Sequence, residues 1–498
     1  MPSVGNVSSR YESVLDVHLE ERVMRITVWC VAISCAVWGN TLSTVAADSV
    51  FQAGSVAQDI TPEKWPVSVN GGMGDRKATK AVDPLHARCL VLDDGEGSLV
   101  FVIVDSCMVP RDVFDEAKTL ASEKTGIPVS RMMMSATHTH TAVTVTGVFQ
   151  SDPEVEYKRF LARKIAEGVE RAWKQREPAQ IGWGVGTNAD QVFNRRWFTN
   201  DGVVNTDPFG GTTDKVRMNP GFDKSVTKET SGPTDPDVWI ISVRSASGRP
   251  ICLLANYSLH YVGGREALSA DYFAEFADQV AIKLEATALD PPFVGIMSNG
   301  TSGNINNIDF GSEGPLKREP GEQIKVVAAS VAEAAFQAYS LIKYHDWVPL
   351  RAAQSEIELG VRKPNAEQLT QAKQWLADAG PGPYPQTREI YARESVLLDG
   401  YPDKVQVILQ AFQIGDLGVV SSPCETFVET GLAIKTASPL KPVFCVSLAN
   451  GYNGYLPTAE HHEWGGYETW RARSSYLSAD SEAKVRETLL KLLEDASK

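Results

Sequence analysis

The sequence is short of positive charge, of patterned cysteine and of histidine. It carries 48 lysines and arginines against 62 aspartates and glutamates, a formal net charge of −14. No basic run interrupts that balance, which excludes nucleic acid as a partner. The seven cysteines are scattered, with neither zinc-ribbon spacing nor a dense disulfide framework. Cys30 and Cys35 lie in an N-terminal apolar stretch. Of the other five, Cys89, Cys107, Cys252 and Cys445 sit in strand-like apolar runs and read as small buried hydrophobes. Internal sequence repeats and low-complexity blocks are missing. So is a Gly-x-Ser-x-Gly elbow, since the second glycine of Asn299-Gly300-Thr301-Ser302-Gly303 comes one residue early. The His-Glu-x-x-His spacing is absent too, and His461-His462-Glu463 reads as a solvated loop.

The one conspicuous apolar run, residues 26–38, is too short for a confident membrane span. Arg22 and Arg25 precede it and Val45-Ala46-Ala47 follows it, the layout of an export signal with a small-x-small cleavage site. Met24 is an alternative start, and Ala32-Ile33-Ser34-Cys35 faintly resembles a lipoprotein box. The expected organisation is an N-terminal extension and signal over 1–47, followed by one domain over 48–498. Its destination is the periplasm, the cell surface or the medium.

What the chain does have is interleaved strand and helix. Residues 89–92, 99–105 and 131–135 read as buried strands, and 112–124 and 157–176 as helices. Residues 238–243 and 251–257 read as a hairpin. Residues 272–287, 321–342 and 481–495 read as further helices, with strands at 293–297, 405–414, 417–421 and 443–448. This pattern predicts an α/β fold: a single large catalytic domain with mixed β-sheets flanked by helices. Residues 187–236 and 361–404, rich in turn residues, read as long loops over the site.

With only eight histidines, the segment Ser135-Ala136-Thr137-His138-Thr139-His140-Thr141 stands out. On extended backbone a His-x-His pair points both imidazoles to one face. A second strand runs out into His260 through Asn256-Tyr257-Ser258-Leu259. A third breaks at Pro423 and presents Glu425, which is exposed, paired, on a metal or capping a helix near Thr426. A glycine-punctuated loop, Asn450-Gly451-Tyr452-Asn453-Gly454-Tyr455, precedes Tyr467-Glu468.

Taken in order, these motifs resemble the neutral/alkaline non-lysosomal ceramidase family. The likeness runs from about Phe51 to Tyr467. Phe51-Gln52-Ala53-Gly54 through Asp59-Ile60-Thr61 resembles the family's opening strand, and Thr137-His138-Thr139-His140 its Thr-His-Thr-His segment. Asn194-Arg195, Asn256 to His260, Pro423-Cys424-Glu425, the Asn450–Tyr455 loop and Tyr467-Glu468 are similar to its remaining motifs. The resemblance implies one Zn²⁺ per chain held by His138, His260, Glu425 and Tyr455, a set whose chemistry suits zinc. It implies that His140, Arg195 and Tyr467 face the substrate, and that the reaction is hydrolysis of an amide in N-acylsphingosine or a related N-acyl lipid, with peripheral contact at a membrane surface. Two departures matter. The family's Gly-Asp-Val-Ser-Pro-Asn turn aligns with Gly303-Asn304-Ile305-Asn306-Asn307-Ile308. This puts Asn306, or in another register Asn304, where the family has serine, with Ser302 a displaced substitute. The sequence also ends at Lys498, which leaves no room after Tyr467 for the family's C-terminal immunoglobulin-like domain. The rival expectations are a serine-type hydrolase using Ser302 and a non-catalytic exported binding or scaffold protein that keeps the fold.

Overall fold

Strand Ser98–Val104 shows how this chain builds its core. Leu99, Phe101 and Ile103 face one apolar cluster, and Val100, Val102 and Val104 face another. Both faces are buried, so the run is continuously hydrophobic rather than alternating. The same two-sided burial recurs across an eight-stranded sheet, which a computed structural model describes within residues 50–498. The export signal and the lipoprotein-like box expected from the sequence lie outside the described residues.

The eight strands form two halves joined at a short seam. In one half, Gln52–Asp59, His86–Asp93 and Ser98–Val104 pair antiparallel in turn, and Met132–Ala136 then adds in parallel. In the other, Glu177–Thr187, Asp237–Ser245 and Pro250–Tyr257 do the same, and Val294–Asn299 adds in parallel. The seam is only Gln52↔Pro178 and Ala53↔Glu177. A separate four-stranded sheet repeats the order: Leu350–Gly360, Lys404–Ile414 and Leu417–Ser421 antiparallel, then Val443–Val446 parallel.

A parallel neighbour needs a crossover, and each unit supplies a helix for it. These are Arg111–Thr125, Asp271–Lys283 and Val428–Ala437. A second helix then follows each parallel strand and packs on the outside of its own unit: Val155–Lys174, Glu322–Tyr339 and Ser481–Ala496. The topology is therefore triplicated, strand–strand–strand–helix–strand–helix, without any sequence repeat. The inner faces of all three units meet in one core containing Phe101, Met133, Ile241, Ile296, Phe412 and Phe444.

This arrangement brings strand ends together. The segment after Val446 ties two units: Ser447 N–H donates to Asn299 O at 3.0 Å, and Ala136 N–H donates to Leu448 O at 3.1 Å. Asn450 adds a third tie, with Lys118 and the Met134 N–H donating to its Oδ1 and its Nδ2 donating to Gln410. The carboxyl ends of the third or fourth strands of all three units open onto this junction, as expected for a site built on sheet topology.

Most expected elements are present. Two long strands, Glu177–Thr187 and Leu350–Gly360, were not expected. Residues 361–404, expected as loop, contain helices Ala366–Ala379 and Thr387–Asp399. His461-His462-Glu463, expected as solvated loop, lies in helix Ala459–Trp464, with His461 buried and its Nε2 3.2 Å from Glu429. All five cysteines in the described residues are buried free thiols. No helix among the described residues is long and apolar enough to cross a membrane.

Candidate metal centre

Strand Met132–Ala136 ends two residues before His138, which adopts φ 75°. The left-handed conformation is costly for a non-glycine residue and persists where surrounding contacts impose it. Here the His138 N–H donates to Ser106 O at 2.9 Å, and its Nδ1 donates to Cys107 O at 2.7 Å. The expected extended His-x-His geometry is therefore interrupted by one left-handed residue, yet both imidazoles still converge: His138 Nε2 and His140 Nε2 are 3.2 Å apart.

His260 lies three residues beyond strand Pro250–Tyr257, and its Nδ1 donates to Ser302 O at 3.2 Å. A carbonyl only accepts, so both Nδ1 atoms carry hydrogens, and in the neutral ring each Nε2 presents a lone pair. Those two Nε2 atoms are 3.0 Å apart. Glu425, in the short strand Glu425–Thr426, places Oε2 3.2 Å from His138 Nε2 and 4.0 Å from His260 Nε2. Its Oε1 accepts from the Tyr452 hydroxyl at 2.8 Å, whereas the buried Oε2 faces the His138 imidazole.

Three lone-pair atoms crowded together repel unless a cation lies between them. Ligands about 2.0–2.2 Å from a tetrahedral ion sit roughly 3.3–3.6 Å apart, close to the spacings here. The cavity beside them measures about 20 Å³, enough for one ion or water. Electrostatics agree. Burial lowers the His138 pKa, but Glu425 and Cys107 more than offset it and raise it to about 10, so a proton fills the shared position when no metal does. Burial, with Arg195 and His138, holds His260 well below its ordinary value and therefore neutral. Burial also raises Glu425, yet His138, Arg195 and Tyr452 lower it further, leaving a carboxylate.

The remaining expected residues surround this cluster. His140 lines the cavity, stacked on Tyr261 with ring centroids 3.7 Å apart. Gly71 lies against its other side. A Cβ there would sit 2.4 Å from His140 Cγ, and φ is +100°. Tyr455 pairs in register with Glu425 on a parallel two-residue strand, and its hydroxyl accepts from Arg195 Nη2 at 3.1 Å. Tyr467 also lines the cavity, with its ring edge-on to Tyr455, and makes no side-chain hydrogen bond among the described residues.

Arg195 is more committed than the sequence suggests. Its Nε donates to Glu468 at 2.9 Å, Nη2 to Gly303 O at 2.8 Å, and Nη1 lies 3.4 Å from His260 Nε2. Glu468 also binds Arg196 at 2.6 Å, so one buried carboxylate joins two buried guanidiniums. The turn at 299–308 is structural in its side chains. Ser302 Oγ donates to Asn299 Oδ1 at 2.8 Å, and Asn299 is no base. Asn304 donates to Glu429 and accepts from Val428 N–H, while Asn306 donates to Asn219. Sequence reasoning left Tyr452, Glu468 and the Cys107 carbonyl without roles. The first two stood inside quoted motifs, but a carbonyl leaves no sequence signal.

No family model matches the sequence, and no curated protein matches it either. Comparison with solved structures does find likeness. Neutral ceramidase from Pseudomonas aeruginosa superposes with a TM-score of 0.66 at 16% identity, over 90% of this chain and 74% of that one. A ceramidase complexed with C2 gives the same score and identity, over 90% and 75%.

The chain has the neutral ceramidase fold. At this identity the likeness extends to architecture alone, and the chemistry of the cluster stands on the distances above. The ceramidase-like fold accounts for the junction of strand ends, and the residues found there supply a donor set suited to a metal ion.

Proposed function

We propose that the protein is a zinc-dependent amidohydrolase acting on an N-acyl compound outside the cytoplasm. The observation that carries this reading is the convergence of His138 Nε2, His260 Nε2 and the buried Glu425 Oε2, with spacings of 3.0, 3.2 and 4.0 Å. His138, His260 and Glu425 hold the ion, with Tyr455 as the fourth ligand. Burial and Glu425 hold the Tyr455 phenol well above its ordinary range, and Arg195, which donates to its oxygen, opposes them, so deprotonation of Tyr455 would depend on the ion it binds. A bound zinc ion supplies Lewis acidity toward an amide carbonyl and hydroxide at neutral pH.

The other residues divide the work on the substrate. Tyr467 has a hydroxyl unclaimed within the described residues and donates to the carbonyl oxygen as negative charge develops on it. His140, neutral in its buried setting beside His138 and Arg195, carries a proton to the leaving amine. Arg195 acts through Tyr455 and His260 as a positioning residue. Ser302 contributes its carbonyl to His260 and no nucleophile, because its hydroxyl faces an amide.

The test is amine release from a panel of N-acyl amides by purified protein. Activity lost on chelation, restored by stoichiometric Zn²⁺ and absent in His138→Ala supports the assignment. Activity that survives chelation and falls only in Ser302→Ala overturns it.

A further inference from the structure

Tyr467 stands between two cavities. The 20 Å³ cavity at the imidazoles and a much larger one of about 740 Å³ share Tyr467 as a wall. The larger cavity lies between residues 205–218 and the first turn of helix Thr387–Asp399. Its size suits a ligand of a few rings. Its walls mix polar and charged side chains with apolar ones such as Met73, Val216 and Met218.

The charges balance. Asp207 and Glu389 contribute two carboxylates, and Arg217 and Arg388 two guanidiniums. No net field therefore selects a cation or an anion. Capacity for hydrogen bonding remains. Asp207 spends Oδ1 on the Phe209 and Gly211 N–H groups, and its Oδ2 has no protein hydrogen-bond partner among the described residues. Glu389 accepts from Arg388 at Oε1, while its buried Oε2 has none. Two aromatic rings, Tyr467 and Trp470, complete the wall, and Trp470 is fixed by its Nε1 donating to Asp214 at 2.7 Å. Flat aromatic faces beside charge-balanced planar polar groups match a neutral, rigid ligand rich in hydroxyls.

We propose that this antechamber is the leaving-amine subsite and that the substrate is an N-acylated polyhydroxylated amine, such as an N-acyl amino sugar, rather than a two-chain lipid. The proposal rests on the amidohydrolase reading. In the reaction the amide C–N bond breaks, water oxygen bonds to the acyl carbon, and the water's protons pass to the amine and the solvent, giving a carboxylate and an amino sugar.

The experiment uses zinc-loaded protein with three probes: a disaccharide of N-acetylglucosamine, N-hexanoylsphingosine, and N-acetylbutylamine, which has no hydroxyls. Amine release gives kcat and KM, and calorimetry gives disaccharide binding independently of turnover. Arg217→Met and Glu389→Gln keep side-chain size, and an unchanged Tm certifies their folding. The expected result is disaccharide cleaved in preference to N-hexanoylsphingosine. Both variants should raise its KM and weaken its binding at least tenfold with kcat within threefold, while kcat/KM for N-acetylbutylamine stays unchanged. Preference for N-hexanoylsphingosine, or variants that impair all probes alike, overturns the proposal. Cleavage of N-acetylbutylamine without disaccharide binding overturns the subsite and leaves the amidohydrolase. Variant-sensitive disaccharide binding without any turnover overturns the leaving-amine role and the amidohydrolase together, and leaves only an amino-sugar binding site.

Discussion

The Nε2 atoms of His138 and His260 face each other at 3.0 Å while each ring's Nδ1–H is spent on a backbone carbonyl, so only a proton at Nε2 or a metal ion holds them together. Those carbonyls, Cys107 O and Ser302 O, come from two different units of the triplicated fold. The ligand geometry is thus fixed by the meeting of the units, as outer partners commonly fix a metal-bound imidazole.

The proposed ion at this junction would couple to stability. A ligand at a thousand times its Kd stabilises the folded state by about 4 kcal/mol. Zinc-loaded protein is therefore expected to lose Tm on chelation and to regain it with Zn²⁺. His138→Ala should show a low Tm insensitive to either treatment, as read by differential scanning calorimetry.

Glu468 joins Arg195 and Arg196, with no exposure of its own side chain. Removing its charge strands two buried guanidiniums, and breaking a buried pair this way costs roughly 3–5 kcal/mol. Glu468→Gln is expected to show that loss in urea unfolding. Glu356→Gln, which breaks the exposed Arg111–Glu356 pair, should cost less than about 1 kcal/mol.

Tyr467→Phe removes one hydroxyl and little else, since that hydroxyl makes no hydrogen bond among the described residues. Loss of a single oxyanion donor lowers kcat by about 10²–10³. The variant should show that loss with unchanged Tm and unchanged zinc content. A kcat within threefold of wild type would remove Tyr467 from the reaction.

Gly71 supports His140 by having no side chain. Gly71→Ala drives a Cβ to within 2.4 Å of the imidazole at φ +100°. The strained backbone should cost about 1–3 kcal/mol, and the displaced ring should lower kcat at least tenfold while zinc content holds. Equal activity in both proteins would show that His140 does not act on the substrate.

How far the sequence reached depends on where each element's signal lies. Strand Ser98–Val104 was legible because both its faces are core. Strand Glu177–Thr187 was not, because Gly182, Gly184 and Gly186 leave one face bare so that helix Glu322–Tyr339 and the segment just after it can approach. A Cβ at Gly186 would meet Ala334 O at 2.2 Å. Strand Leu350–Gly360 hid behind exposed polar residues on one face. The helix at Ala366–Ala379 had a readable start in the Asn365–Gln368 capping box, outweighed by the neighbouring proline cluster. At the site, His138, His260 and Glu425 were legible as strand ends running into ligand-type residues. The left-handed turn at His138 and the internal commitment of Arg195 were not, because both arise from contacts between units far apart in sequence.

The central claim is that a metal ion belongs between His138 and His260. Anomalous diffraction at the zinc edge, on crystals of the zinc-loaded protein, tests it directly. The account predicts one peak per chain about 2.0–2.2 Å from His138 Nε2, His260 Nε2 and Glu425 Oε2, with the Tyr455 oxygen completing the set. A peak elsewhere, or no peak with the two Nε2 atoms still in contact, would contradict it.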